Sequence, residues 1–352
     1  MVRPGPAGRG VIADFTDAAQ GPLLALRADI DALRIQDAKA VAYHSQRPGI
    51  MHACGHDGHS AVVLGALLGL QAARQQSLLP RAFKVRGIFQ PAEETAQGAL
   101  EMISVGALEN VAAILSVHLD PSRPVGRIGV RYGALTAACD SIEINIHGRG
   151  GHAARPHLSL DPIQTAAQLI NTLYQSVPRA VDSQDPVVVT IGQITAGDSA
   201  NVIPDHAILR GTLRTLGGAV RVQVISHIQQ LVRGLAEASG TRIEIQFGDS
   251  APPVDNNTDL SDLLRRAGGD VLGVDRIDII PRTSMGGEDF AFYLEQVPGA
   301  MFRLGCASTE VGGAPLHSPH FDIAEDALAI GAKVLARVAV LWSESQQDFN
   351  HG

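Results

Sequence analysis

Hydrophobic and polar positions follow two different patterns along this chain. In the first third, short continuous apolar runs alternate with stretches of helical spacing. Leu23 to Asp31 begins as a buried strand and ends in two carboxylates. Ser60 to Gln76 is rich in alanine and leucine at helical spacing. Phe83 to Phe89 is a second strand, and it runs straight into Gln90-Pro91-Ala92-Glu93-Glu94. A helix over Ala96 to Glu109 follows, then a third strand over Ala112 to Val117 that ends at His118. Strand alternating with helix predicts an α/β fold, with a mixed, mostly parallel sheet covered by helices. Three apolar strands stop at residues able to ligate a metal or move a proton. In open α/β sheets the carboxyl ends of the strands are where sites assemble.

From about Ala134 the pattern changes. Ser141 to His147 alternates polar and apolar residues, as a strand with one open face does. A helix from Asp161 to Val177 carries Pro162 in its first turn. Strands at Val187–Ile194 and Ala207–Leu216, a long helix at Val222–Ser239 and an alternating strand at Thr241–Phe247 complete a β-α-β-β-α-β order. That order is the ferredoxin-like pattern, and it predicts an inserted α+β lid. Ala251 to Asn257 reads as the exit linker. Helices near Asp259–Ala267 and Gly287–Gln296, a strand at Ala300–Leu304 and a last helix from Ala324 to about Trp342 return to the first pattern. The expected division is therefore a catalytic domain in two parts, 1–133 and 249–352, split around a lid at 134–248.

The densest chemistry lies in Met51 to His59, where three histidines, a cysteine and an aspartate fall within nine residues. Thiolate and imidazole together favour zinc or a neighbouring divalent metal over calcium or magnesium. Glu93 and Glu94 add a second element. Adjacent side chains point in different directions, so one carboxylate can hold a metal while the other faces a water as general base.

Composition sets limits on partners and location. The 352 residues exceed the usual size of one core, which supports the two-domain reading. A formal charge of −8, with lysines and arginines scattered, argues against nucleic acid or an anionic membrane surface. No apolar run reaches about 18 residues, the length of a spanning helix. The start, Met1 to Pro6, lacks the hydrophobic core of a secretory signal. Three widely spaced cysteines suit reduced thiols, so a cytoplasmic location is expected.

Taken together, Leu26 to Leu33, Met51 to His59, Gln90 to Glu94, Gly148 to His157, Asn201 to Pro204, Gly211 to Thr215, Glu288 to Phe290 and His317 to Pro319 resemble one family over nearly the whole chain. That family is the M20 metallo-amidohydrolases, in the branch of N-acyl amino acid amidohydrolases, hippurate hydrolases and auxin-conjugate hydrolases. The resemblance implies two divalent metal ions, zinc or manganese first and cobalt or nickel as further candidates. It implies Cys54, His56, Glu94, His118 and His317 as their ligands, with Glu93 as catalytic acid/base. It also implies that His152 reaches from a neighbouring subunit to stabilise an oxyanion, in a homodimer formed through the lid. Asn201 and Arg214 would clamp the free carboxylate of an N-acyl amino acid. Arginine's planar fork suits a carboxylate, and a donor aimed at developing charge is a large catalytic contribution. The expected reaction is hydrolysis of the amide to a free amino acid and a carboxylic acid. Alternatives within the same resemblance are a dipeptidase and a non-catalytic binder of acylated amino acids or peptides.

The sequence departs from the family in two places. The family carries some tens of residues before its first strand, whereas here the chain opens nearly at that strand, and Arg34 stands where proline is usual. Two rival motifs are weaker. Gly58-His59-Ser60-Ala61-Val62 lacks the final glycine of a nucleophile elbow. Gly148 to Ala153 fits G-x-G-x-x-A, but Pro156 and Pro162 interrupt the helix that must follow. His52, His59 and His320 match no ligand position, and Cys139 and Cys306 read as packed thiols.

Overall fold

The computed structural model describes residues 1–16, 21–79 and 83–348. The chain divides into two compact units. The larger comprises Met1–Leu135, Val254–Arg282 and Glu288–Gly352, and the smaller Thr136–Pro253 with Thr283–Gly287.

The larger unit is built on an eight-stranded sheet. At its centre Leu23–Asp29 runs parallel to Lys84–Gln90 on one side and to Val111–Pro124 on the other, and Val111–Pro124 runs parallel to Gly299–Ala307. Antiparallel strands Val2–Pro4 and Val11–Thr16 extend one edge. Side chains alternate across a strand with period two, and the two faces of this sheet bury different partners. Leu24, Leu26, Leu115, Phe302 and Leu304 pack with Val62, Val63 and Ala66 of the helix His56–Gln75, Leu264 of Thr258–Leu272 and Val338 of Asp326–Asp348. On the other face Ala25, Ile88, Ile114 and Met301 pack with Met102, Phe290 and Tyr293. By alternation Arg27, Asp29, Gln90, His118 and Arg303 belong to that second face, with Asp29 and Gln90 at the carboxyl ends of their strands. No helix among the described residues is long and apolar enough to cross a membrane.

Three elements differ from their expected bounds, each for a local reason. The third strand does not stop at His118 but continues to Pro124, because Leu119 and Asp120 keep pairing with Leu304 and Gly305. The helix expected over 96–109 is only Gly98–Ser104, and it follows Ala96, which is left-handed at φ 54°. The one expected over 287–296 shrinks to Ala291–Leu294, since Glu288 and Asp289 turn inward to a buried arginine.

In the smaller unit Ala138–His147, Val187–Ala196, His206–Thr215 and Arg242–Ala251 form an antiparallel four-stranded sheet, with the first strand between the third and the fourth. Helices Pro162–Ser176 and Gly218–Ser239 bury Leu169, Leu173, Val224 and Ile228 against Ile142, Ile144, Leu209 and Leu213. The Asp161 carboxylate accepts from the Ile163 and Gln164 N–H groups and caps the first of these helices, with Pro162 at its first position. This is the β-α-β-β-α-β order read from the alternating strands. Val187–Ala196 is an edge strand, and Val188 and Ile194 on it are exposed. The segment Thr283–Gly287 also belongs to this unit: the Ala137 N–H donates to the Gly286 carbonyl, and Thr136 bridges Ser284.

Candidate metal centre

Cys54 and His56 are held at the start of the helix His56–Gln75 by the glycines around them. Gly55 is left-handed at φ 83°, and a Cβ on it would lie 2.7 Å from Leu119 Cδ1; a Cβ on the helical Gly58 would lie equally close to that atom. Only glycine lets this turn approach the strand that carries His118. Glu93 and Glu94 sit on a short 3-10 turn, Glu93–Thr95, flanked by Ala92 (φ 58°) and Ala96 (φ 54°). His317 has φ 63° and is fixed by its N–H donating to the Ala53 carbonyl at 2.8 Å. Left-handed backbone at a non-glycine residue costs about 1–2 kcal/mol. Three such residues around one cluster are strain held by the surrounding structure, a mark of functional sites.

The donor atoms converge. One ligand atom each from Cys54, His56 and Glu94 lies within 4.8 Å of the others. Cys54 Sγ is 3.7 Å from His118 Nε2, and Glu94 Oε1 is 3.4 Å from His317 Nε2. Glu93 Oε2 lies 3.9 Å from His56 Nε2.

Hydrogen bonds then choose which nitrogen of each ring is free. His56 Nδ1 donates towards the Asp31 carbonyl (3.1 Å) and carboxylate (3.2 Å), so in the neutral ring that a metal requires Nε2 holds the lone pair. Without a bound cation, and against its burial, Asp29 and Asp31 raise the ring's proton affinity. His118 Nδ1 donates to the Leu119 carbonyl at 2.7 Å, and its Nε2 faces the thiol. His56 Nε2 and Glu94 Oε1 are buried with no hydrogen-bond partner, 3.9 Å apart. A buried lone pair left bare beside a buried carboxylate oxygen is costly unless a cation takes both. The residues therefore fit a soft-to-borderline divalent metal: thiolate, imidazoles and a carboxylate, with the imidazoles oriented through their other nitrogens.

His59 is different. The Leu119 N–H donates to its Nε2 at 2.9 Å, and its Nδ1 donates to Asp29 Oδ1 at 2.7 Å. Both nitrogens are used, so it orients neighbours and ligates nothing. His320 is exposed, and Arg34 projects to solvent. Ser60, the would-be nucleophile, lies inside the helix and donates to the Asp29 carbonyl.

Electrostatics follow from burial. Burial pushes the Glu93 carboxyl well above the ordinary range, and Glu288, Asp289 and Asp29 add to it. The Cys54 thiol is pushed up to about 12 by burial; binding a metal requires its thiolate, which a bound cation would stabilise. Burial, with Arg303 nearby, holds His118 well below its ordinary value and so neutral, as a ligand must be.

Residues 25–340 match the model of Peptidase family M20/M25/M40. The chain belongs to this family. An N-acetylcysteine deacetylase of Bacillus subtilis is 39% identical over 336 residues, covering 96% of this chain and 86% of that protein. The IAA-amino acid hydrolase ILR1-like 2 of Arabidopsis thaliana is 37% identical, over 94% of this chain and 74% of its own. The crystal structure of Bacillus subtilis YXEP, described as a dinuclear metal binding peptidase from the M20 family, superposes with a TM-score of 0.82 at 35% identity, covering 98% of this chain and 88% of that one. This M20 chain is accordingly a hydrolase of the amidohydrolase branch.

The smaller unit of this M20 chain holds the other three expected residues. Gly151–His152 pairs antiparallel with Val202–Ile203, which puts His152 opposite Val202 and beside Asn201. The Ala154 N–H donates to His152 Nδ1 at 3.0 Å, which leaves Nε2 of the exposed ring as its free donor. Arg214 is half-buried, and its Nη1 donates to the Met285 carbonyl at 2.8 Å. Sequence reasoning gave no task to Arg27, Glu288 or Asp289. Their signal was a charged residue inside an apolar strand and an acidic pair far along the chain.

A cavity of about 540 Å³ in the larger unit is lined by Met51, His52, Asp57, Phe321, Asp322 and Leu328 among others. None of the five expected ligands lines it, so it is separate from the cluster.

Proposed function

We propose that the chain hydrolyses N-acyl amino acids, releasing a free amino acid and a carboxylic acid, at a pair of divalent ions held by Cys54, His56, Glu94, His118 and His317. The observation that carries this reading is the convergence of those donors around two bare buried atoms, His56 Nε2 and Glu94 Oε1. Relatives described as an N-acetylcysteine deacetylase and an IAA-amino acid hydrolase support the substrate class. Such ions supply Lewis acidity to an amide carbonyl and lower the pKa of a water towards about 7.

The side chains then divide the remaining work. Glu93 takes the proton of the attacking water and gives it to the leaving amine nitrogen. Its raised proton affinity suits a group that must do both. His152, exposed, offers Nε2–H to the oxyanion that forms on the carbonyl. Arg214 and Asn201 hold the free carboxylate of the amino acid, through charge-assisted hydrogen bonds.

Dimerisation through the smaller unit belongs to the same reading, with His152 serving the neighbouring subunit's site. The unpaired outer edge of Val187–Ala196 and its exposed Val188 and Ile194 support it. A cytoplasmic, metal-loaded homodimer is the expected form, with zinc or manganese as the first candidates. Assay of the metal-loaded protein on acetyl-, benzoyl- and indoleacetyl-amino acids tests the reading. Turnover that disappears with a chelator and returns with divalent ions is the expected result. Metal bound without turnover on any of them would leave only a binding protein.

A further inference from the structure

Two stretches that carry the family resemblance, Leu26 to Leu33 and Glu288 to Phe290, have little part in the chemistry above, and the structure joins them. Arg27 is fully buried on the strand Leu23–Asp29. Its Nε donates to Gln90 Oε1 at 2.9 Å, its Nη1 to Asp29 Oδ2 at 2.8 Å and its Nη2 to Asp289 Oδ1 at 2.7 Å, with Glu288 Oε1 at 3.1 Å. Asp289 is fixed in turn by Gln90 Nε2 (2.8 and 2.7 Å) and the Ala99 N–H (3.0 Å).

On the other side, Asp29 Oδ1 accepts from His59 Nδ1. The His59 ring lies 4.7 Å from that of His118 and 5.5 Å from that of His56. A buried series of hydrogen bonds thus runs from Asp289 through Arg27 and Asp29 to His59, whose ring lies beside those of two candidate ligands, His56 and His118. Asp29 Oδ2, the oxygen that Arg27 holds, is 3.9 Å from His56 Nε2. Left free, that oxygen would itself be a donor to an ion on His56.

We infer that Arg27 is a positioning residue for the metal centre: its fork withholds Asp29 Oδ2 from the ions and, through Asp29 and His59, sets the rings of His56 and His118. The inference rests on the two-metal reading. Geometry is the point, because a lysine at 27 keeps the charge but offers three donors from a single nitrogen and no fork.

The test is cobalt titration of the whole protein after chelator stripping, read by visible absorption, which reports the ligand field directly. Arg27→Lys should bind Co2+ about 10–100-fold more weakly, the scale for losing a partner that orients ligands, with shifted absorption bands. Asp289→Asn should shift the same bands in the same direction, and it decides alone if Arg27→Lys does not fold. Val338→Ala, which opens the core of the same unit away from the series, should leave bands and affinity as in the wild type. Wild-type bands and affinity in the folded Arg27 and Asp289 variants would overturn the inference, as would an equal shift in Val338→Ala. Failure of the wild-type protein to take up Co2+ would remove the two-metal reading and this inference with it.

Discussion

The larger unit buries three of its five candidate ligands, with Glu94 half-buried and His317 more exposed, and the smaller unit leaves two of its three candidate residues at the surface. Cys54, His56 and His118 are buried, each imidazole is fixed through one nitrogen, and strained backbone at Ala92, Ala96 and His317 surrounds them. His152 and Asn201 are exposed on a two-residue strand pairing, and Arg214 is half-buried with one edge of its fork tied to Met285. The difference matches the two tasks proposed for these residues. A site that must exclude water and hold cations is built once and kept rigid. Groups that meet a substrate's carboxylate and oxyanion must stay open to it, so their orientation rests on a few local bonds.

If that division is right, damage to the two regions will separate in experiment. The largest effect belongs to Glu93→Gln, which should cut kcat by about 10²–10⁴-fold while metal analysis still finds the ions bound. His152→Gln comes next: a loss of about 10²–10³-fold in kcat is expected for removing an oxyanion donor, again with metal content unchanged. Arg214→Met should act mainly on binding. Losing a hydrogen bond between charged groups, about 1.5–3 kcal/mol, raises KM roughly 10- to 150-fold and leaves Co2+ absorption bands in place. A shift of those bands in Arg214→Met would erase the proposed separation. The smallest effect is Ala92→Gly. Relieving a left-handed alanine should stabilise the protein to thermal unfolding by about 1 kcal/mol, while a looser Glu93–Thr95 turn lowers kcat modestly. Destabilisation instead would mean that Ala92 is not strained.

How much of this could be read from the sequence depended on whether the cause was local. The Met51–His59 cluster was legible because ligand types crowd into nine residues, and the smaller unit because its strands alternate with period two. His118 was read as the end of its strand, yet the strand runs six residues further, since pairing with Gly299–Ala307 overrides the polar residues that looked like an end. The helix expected over 287–296 failed for a distant reason. Arg27, 262 positions earlier in the chain, draws Asp289 out of any helical register. Nothing near either residue announces that partner. The return of Thr283–Gly287 to the smaller unit is likewise a consequence of contacts and not of composition. Buried charge networks are specified by pairs far apart in sequence, and periodicity carries no trace of them.

Anomalous diffraction from crystals of the protein loaded with zinc or manganese tests the central claim most directly. The account predicts two peaks within the cluster, contacted by Cys54, His56, Glu94, His118 and His317, with Glu93, His59 and Asp29 outside the coordination of either ion. A single peak, or peaks ligated by His59 and Asp29 in place of Cys54 and Glu94, would contradict it.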